Sequence, residues 1–168
     1  VMNLKQVCKI NFTSLKTILW CAFFIRLIAA IFSQGYGMHD DHFLVIEASS
    51  SWVDGYDYNS WLPWSEGNRG GPEGHSFTYV GFNFIFFYLA KLVGIVDPML
   101  LMFFNRLIHG IFSLVAIYYA YKITEKLSNT KNAIIVAWLL ALATVIPFMS
   151  VRNLVELAAV PFLIWGSW

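Results

Sequence analysis

The stretch Leu15-Lys16-Thr17-Ile18-Leu19-Trp20-Cys21-Ala22-Phe23-Phe24-Ile25-Arg26-Leu27-Ile28-Ala29-Ala30-Ile31-Phe32-Ser33-Gln34 decides the fold class. About twenty helical residues rise roughly 30 Å, the thickness of a bilayer's hydrocarbon core. This run carries Lys16 at its start, Arg26 near its middle and no other charge. It reads as a first membrane span, 15–34. Arg26 interrupts the apolar core and no small-residue cleavage site follows, so a retained anchor is expected rather than a cleaved signal.

Working outward, the whole composition agrees. Hydrophobic residues make up 58% and charged residues 12% of the chain, against roughly 45–50% and 25% in soluble domains. Three further apolar segments lie at about 79–96, 103–121 and 132–150, with hinges at Asp97-Pro98 and between Glu125 and Lys131. A fifth segment begins after Glu156. The expected class is all-α, a polytopic transmembrane helix bundle of about four spans plus the start of a fifth. Residues 1–168 read as the N-terminal part of one transmembrane domain within a longer protein, and no internal repeat is visible. The net charge of +1 gives no argument for nucleic acid. Cys8 and Cys21 have neither metal-ligand spacing nor a disulfide pattern.

Lys5, Lys9 and Lys16 favour a cytoplasmic N-terminus, which places the loop 35–78 outside the cytoplasm. Strict alternation then puts Lys122, Lys126 and Lys131 outside as well, against the positive-inside tendency. The loop holds the densest chemistry of the chain. His39, Asp40, Asp41, His42 and Glu47 fall just beyond the first span, at a membrane-water boundary where a substrate has one end in lipid and one in water. Residues 40–53 can form a helix, with Asp40, Glu47 and Asp54 spaced at seven so as to share a face. Gly67 to Gly74 is a loop.

A carboxylate pair such as Asp40-Asp41 can serve as a general base, bind a divalent ion with His39 and His42, or merely favour a helix N-terminus. No third ligand spacing supports a metal. Arg26 within a span faces the protein interior or a water-filled cavity. Its guanidinium suits phosphate, an acid on another helix, or snorkelling. The loop aromatics Trp52, Tyr56, Tyr58, Trp61 and Trp64 suit sugar faces or a polyprenyl chain, and equally an interfacial belt. His75 and Tyr79, near the return to the membrane, suit phosphate or interface anchoring. Arg106 with His109, and Arg152 with Glu156, place polar groups at helical spacing in apolar surroundings. The second pair has the i, i+4 spacing of an ion pair.

His39-Asp40-Asp41-His42-Phe43-Leu44-Val45-Ile46-Glu47 resembles the first-loop motif of the GT-C superfamily of membrane glycosyltransferases. The likeness is to the family 22 mannosyltransferases of dolichol-linked oligosaccharide and GPI-anchor assembly, with their bacterial relatives. Asp40 falls on the family Asp, Asp41 on the acid after it, Phe43 on an aromatic and Glu47 on a later Glu. The motif's proline is missing, and Ser50 stands where the family has a histidine. Tyr58-Asn59-Ser60-Trp61-Leu62-Pro63-Trp64 with Asn68-Arg69 is similar to a Trp-rich stretch before an Arg. Pro98 with Asn105-Arg106-Leu107 resembles a Pro-Arg-Leu element, and Arg152-Asn153-Leu154-Val155-Glu156 resembles a shortened Arg-to-Glu element.

The resemblance implies an inverting transfer of a hexose, in the family's commonest case mannose. The sugar leaves a polyprenyl-phosphate donor for a lipid-linked or cell-envelope glycan acceptor. Asp40 would be the general base, supported by Asp41 and Glu47. Arg26, His39, Trp61, Arg69, His75, Tyr79, Arg152 and Glu156 would contact substrate. The expected partners are the lipid-linked donor, the acceptor glycan and membrane lipids, with no metal assigned. The bacterial inner membrane and the endoplasmic reticulum both suit such an enzyme, and the departures from the motifs favour the bacterial one. Two other readings compete: a transporter lined by Arg26, Arg106 and Arg152, and a noncatalytic membrane subunit. A transporter is expected to show broken spans or repeated halves, and a subunit would tolerate loss of Asp40.

Overall fold

The computed structural model describes residues 11–33, 39–56 and 77–168, with the backbone alone for 39–43. Seven helices and no strand occur among the described residues: α1 (Leu15–Phe32), α2 (His39–Asp54), α3 (Phe77–Leu92), α4 (Pro98–Leu127), α5 (Thr130–Leu142), α6 (Val145–Ser150) and α7 (Val155–Gly166). The all-α expectation holds. The first span is α1, and the helix expected over 40–53 is α2.

Each boundary has a local cause. Asp97 caps α4 by accepting from the Leu100 amide at 2.8 Å, with Pro98 in the first turn, where its missing N–H costs nothing. Asn129 caps α5 through the Asn132 amide at 2.9 Å. Only Ser128 and Asn129 separate α4 from α5, so the two form an antiparallel hairpin. Gly94, at φ 82°, ends α3 with the Ile95 amide reaching back to the Ala90 carbonyl at 2.9 Å, a glycine-dependent C-terminal cap.

The run 132–150, expected as one segment, is two helices. The chain breaks at Ala143-Thr144, and α6 starts at Val145 with Pro147 in its first turn. Proline has no N–H for an i−4 carbonyl, so it sits at a helix start more readily than inside one. The segment read at 103–121 is longer than expected, running as α4 over 30 residues.

Helix α4 is the central strut, packed by α1, α5 and α7, while α2 lies mainly against α3. The core is made of small residues: Ala133, Ala137 and Ala141 of α5 meet Ile18 and Ala22 of α1 and Ile117 of α4. Bulky side chains point outward instead. Trp20, Phe24 and Ile28 of α1 are each more than half exposed. Small residues at helix interfaces with large apolar ones outside are the pattern of helices that pack within lipid. Among the described residues two helices, α1 and α4, are long and apolar enough to cross a membrane, with mean hydropathy 2.0 and 1.8 over 18 residues. Their outward apolar faces distinguish them from the buried core helices of a soluble domain.

Helices α2 and α3 form a pair of their own. Val45, Ala48 and Val80 make its core, and Ser49 Oγ lies 3.0 Å from the Val80 carbonyl, buried between them. Lys91 closes the far end on Asp54 at 2.6 Å. The pair thereby holds the acid-headed segment against the bundle.

Candidate active site

Val151, Arg152, Asn153 and Leu154 connect α6 to α7 without helical structure, yet all four are buried. Non-helical backbone is tolerated inside a membrane bundle only where protein or a cavity surrounds it. The turn is fixed by the Arg152 amide on the Met149 carbonyl at 2.9 Å and by Ser150 Oγ on the Pro147 carbonyl at 2.8 Å. Leu154 is extended and begins α7.

This turn faces α4 across a small polar pocket of about 20 Å³, lined by Ile46, Met102, Asn105, Arg106, His109, Val151, Arg152 and Asn153. The volume is that of about one water molecule. Arg106 donates Nε–H to the Ala30 carbonyl of α1 at 2.8 Å, which anchors it beside the pocket. The Arg152 guanidinium lies 4.5 Å above the Phe148 ring, a cation–π placement. Two guanidinium groups therefore line one small pocket. Ile46 brings α2 to its edge.

A hydrogen-bonded wall backs the pocket. Tyr79 of α3 places its hydroxyl 2.8 Å from Asn153 Oδ1 and also against His109 Nε2. His109 Nδ1 meets the Asn105 carbonyl at 2.8 Å; facing a carbonyl, it is the donor. Asn105 donates to Asn83 Oδ1 at 3.2 Å, and Asn83 to the Tyr79 carbonyl at 3.0 Å. Asn153 Nδ2 is buried with no hydrogen-bond partner among the described residues.

Behind that wall runs an apolar groove of about 260 Å³ between α3, α4 and α7, where Phe82, Phe86, Ile108, Phe112 and Phe162 make its sides. Tyr79, Asn83, Asn105 and His109 form its polar end. Asn105 and His109 line both the groove and the polar pocket. An apolar channel thus abuts a cationic pocket.

The expected site residues divide into groups. Arg152 lines the polar pocket and Tyr79 the adjoining groove, linked through Asn153. Asp40, Asp41 and His39 open α2, and their side chains lie outside the described residues, as do Trp61, Arg69 and His75 entirely. Glu47, also on α2, is half-buried. Arg26 is buried but elsewhere. Its Nε donates to Ser113 Oγ at 2.6 Å and its Nη2 to the Leu140 carbonyl at 3.2 Å, joining α1 to α4 and α5. It lines a separate cavity with Ile117, Leu140 and Met149. The path from Arg26 to Asp40 is not one helix, since α1 ends at Phe32 and α2 starts at His39.

Glu156 is exposed in the first turn of α7, and the expected Arg152–Glu156 ion pair does not form: among the described residues Glu156 has no ion pair. The i, i+4 geometry requires continuous helix, and the chain between these residues is the non-helical turn. Arg106 and His109, noted as polar groups at helical spacing in an apolar run, both line the polar pocket. Asn83, Asn105 and Asn153 were not singled out in the sequence. Asn83 stands as an amide alone in an apolar run, which inside a span points to a packed polar interior, and Asn105 and Asn153 each adjoin an arginine. Among the described residues no cluster of three His, Cys, Asp or Glu has the makings of a metal site.

No curated protein and no solved structure matches the chain. The sequence model of the Alg9-like mannosyltransferase family matches residues 17–166, a range that takes in α1, the acid-headed α2, the Tyr79–Asn153 wall and the cationic turn. The chain belongs to the Alg9-like mannosyltransferase family, and is a membrane glycosyltransferase.

Proposed function

We propose that the protein transfers a hexose, mannose in the family's commonest case, from a polyprenyl-phosphate donor to a lipid-linked or cell-envelope glycan acceptor, with inversion at the anomeric carbon. The observation that carries this reading is the junction of an apolar groove of about 260 Å³ with a pocket lined by Arg106 and Arg152. A donor of this class is an apolar chain ending in an anion, and the junction offers a surface to each half. Membership of a mannosyltransferase family supports the sugar and the reaction class.

In the proposed step an acceptor hydroxyl attacks the anomeric carbon from the face opposite the phosphate. Its proton passes to the Asp40 carboxylate. The bond between the anomeric carbon and the phosphate oxygen breaks, and the electron pair leaves with polyprenyl phosphate. Asp41 and Glu47 support the base; a second carboxylate beside Asp40 raises the affinity of the pair for a proton. The leaving phosphate gains charge as the bond breaks, so fixed cations near it stabilise the transition state more than the ground state. His39, Trp61, Arg69, His75 and Glu156 are proposed to contact sugar or acceptor, and Tyr79 and Arg152 the donor head group. Arg26 is assigned to joining helices instead. We place the loop 35–78 on the extracytoplasmic side of a multi-pass protein, in the bacterial inner membrane.

The test is transfer from radiolabelled polyprenyl-phosphate mannose to lipid-extract acceptors, wild type beside Asp40→Asn at matched expression. The expected result is loss of transfer by about 10²-fold or more, in the range for removal of a positioned base. Equal transfer in both would take Asp40 out of catalysis and turn attention to Asp41 and Glu47.

A further inference from the structure

Helices α1 and α4 run antiparallel. Arg106, in the first half of α4, donates to the Ala30 carbonyl near the end of α1 at 2.8 Å. Further along α4, Ser113 meets Arg26 at 2.6 Å, one turn back on α1. Ile117 and Tyr121 then share a buried cluster with Ile18, near the start of α1. The end of α4 therefore lies beside the start of α1. Ala133 belongs to the same cluster and brings the start of α5 there. The end of α7 joins them: the Trp165 ring stacks 6.3 Å from Tyr119, and Lys126 Nζ lies 6.0 Å from the Trp168 ring.

One face of the bundle thus gathers Lys16, Lys122, Lys126 and Lys131. Counting the apolar segment at 79–96 as a crossing would put the last three opposite Lys16. The packing puts them beside it, because the chain leaves α1 and enters α4 at the same face, so α2 and α3 together make no net crossing. Among the described residues one carboxylate stands against the four lysines, Glu125, which Lys122 holds at 3.2 Å. Lys16 and Lys131 are exposed and have no acidic partner among the described residues. Around the start of α4 the charges differ: Lys91 is bonded to Asp54 at 2.6 Å, and Asp97 caps the helix. Lengths set the depth of the lysines. The 18 residues of α1 rise about 27 Å and the 30 of α4 about 45 Å, against a hydrocarbon core of about 30 Å. With Tyr121 level with the start of α1, the residues after it overrun the first span and stand among headgroups.

We propose that this lysine face binds anionic phospholipid headgroups, and that it does so at the cytoplasmic leaflet. Lysines beside an anionic membrane surface are drawn to it, and Trp and Tyr gather at the same level of a bilayer, as Tyr119, Trp165 and Trp168 do here. An ammonium on a flexible stem acts as a point charge that can follow headgroups in a fluid leaflet. The choice of leaflet rests on the extracytoplasmic placement of the loop 35–78; the lipid chemistry does not. The positive-inside tendency, which strict alternation broke, is then obeyed.

The test uses the whole protein in detergent with equal mole fractions of dioleoyl-phosphatidylglycerol and dioleoyl-phosphatidylcholine, bound lipids being counted by native mass spectrometry. The wild type should retain phosphatidylglycerol at least about tenfold over phosphatidylcholine. Lys16→Gln and Lys131→Gln should each cut that preference about fivefold, the contribution of one lysine near an anionic surface. Lys91→Gln, at the other face, should leave it unchanged. Salt at about 1 M, where the screening length is about 3 Å, should remove most of it. Melting temperatures equal to wild type show that the variants are folded. Equal retention of the two lipids by the wild type would overturn the proposal, and so would a preference that survives salt or falls as far in Lys91→Gln as in Lys131→Gln. The leaflet is read separately, from Ser128→Cys in a chain carrying Cys8→Ser and Cys21→Ser, treated with a membrane-impermeant maleimide. Labelling is expected only after the cells are permeabilised. Labelling of intact cells would overturn the cytoplasmic assignment and, with it, the placement of the loop 35–78.

Discussion

Tyr79 and Asn153 are 74 residues apart in sequence and 2.8 Å apart in space, hydroxyl to amide oxygen. This contact joins α3, against which α2 packs, to the turn that carries Arg152. It is one link of a polar chain in which Tyr79 also meets His109. Replacing Tyr79 by Phe keeps the ring and removes the hydroxyl, leaving the Asn153 oxygen short of a donor. The expected loss of stability is about 1–3 kcal/mol. A thermal melt of the detergent-solubilised variant against wild type would check it. An unchanged melt would mean that the tether contributes nothing to the fold.

Gly110 lets Val151 of the turn pack close against α4. A Cβ placed there would lie 3.2 Å from Val151 Cγ1 and 3.4 Å from Arg26 Cβ. Alanine needs its neighbours to give a few tenths of an ångström, and gains helix propensity of about 1 kcal/mol in return. Leucine has no such option, so Gly110→Leu should force the turn from α4 at a cost of about 1–3 kcal/mol. Because Val151 precedes Arg152, the expected signature is a raised KM for the donor along with a lower melting temperature. Lower stability with donor KM unchanged would show that the turn shifts without moving the arginine.

The far end of α4 carries a surface cluster that predicts a pH effect. Glu125 accepts from the Tyr121 hydroxyl at 3.0 Å and from Lys122 at 3.2 Å. These contacts, the tyrosine first, hold its carboxyl below its ordinary value of 4.5. A carboxylate whose folded value is depressed adds stability above its unfolded value and loses it as pH falls through the folded one. Glu125→Gln should therefore melt slightly below wild type at pH 6, with the gap closing as the pH drops below 4.5. The gap should be small because the charged partners Lys122 and Glu125 are about one-third exposed and water screens them. Melting both proteins between pH 6 and pH 3.5 checks the sign, and a gap that widens on acidification would refute it.

Much of this architecture was legible in the sequence because hydropathy is additive over a long window. Leu15 to Phe32 announces itself through eighteen residues at once. The break at Ala143 was not legible, because Pro147 is compatible with a helix start as well as a kink, and the apolar run continues through it. The ion pair that the Arg152–Glu156 spacing allowed does not form, because that spacing presumes a helix and the chain there is a buried turn. Tyr79 and Arg152 were individually visible as candidates, but their shared site depends on contacts between α3, α4 and the turn. Asn153 illustrates the remaining gap. A lone amide has no periodicity, and only its burial with an unsatisfied Nδ2 distinguishes it from any other asparagine.

Arg26 supplies the last prediction, because its geometry separates structure from chemistry. It is 2% exposed, and its hydrogen bonds go to a hydroxyl and to backbone carbonyls, with no carboxylate partner among the described residues. Burying a charge without a counter-charge is costly, and replacing such a group by an apolar residue of similar size is often neutral or stabilising. Ser113 would not be stranded, since its own hydroxyl donates to the Gly110 carbonyl at 2.7 Å. Arg26→Met should therefore melt within about 1 kcal/mol of wild type or above it, and retain transfer activity. Arg26→Glu should unfold the bundle, since it sets an anion against the Ala22 and Leu140 carbonyls at a cost of about 3–5 kcal/mol for an uncompensated buried charge. Thermal melts paired with donor KM read the two effects apart. A stable Arg26→Met variant that loses donor binding would return Arg26 to the substrate site and make its cavity part of the path taken by the lipid.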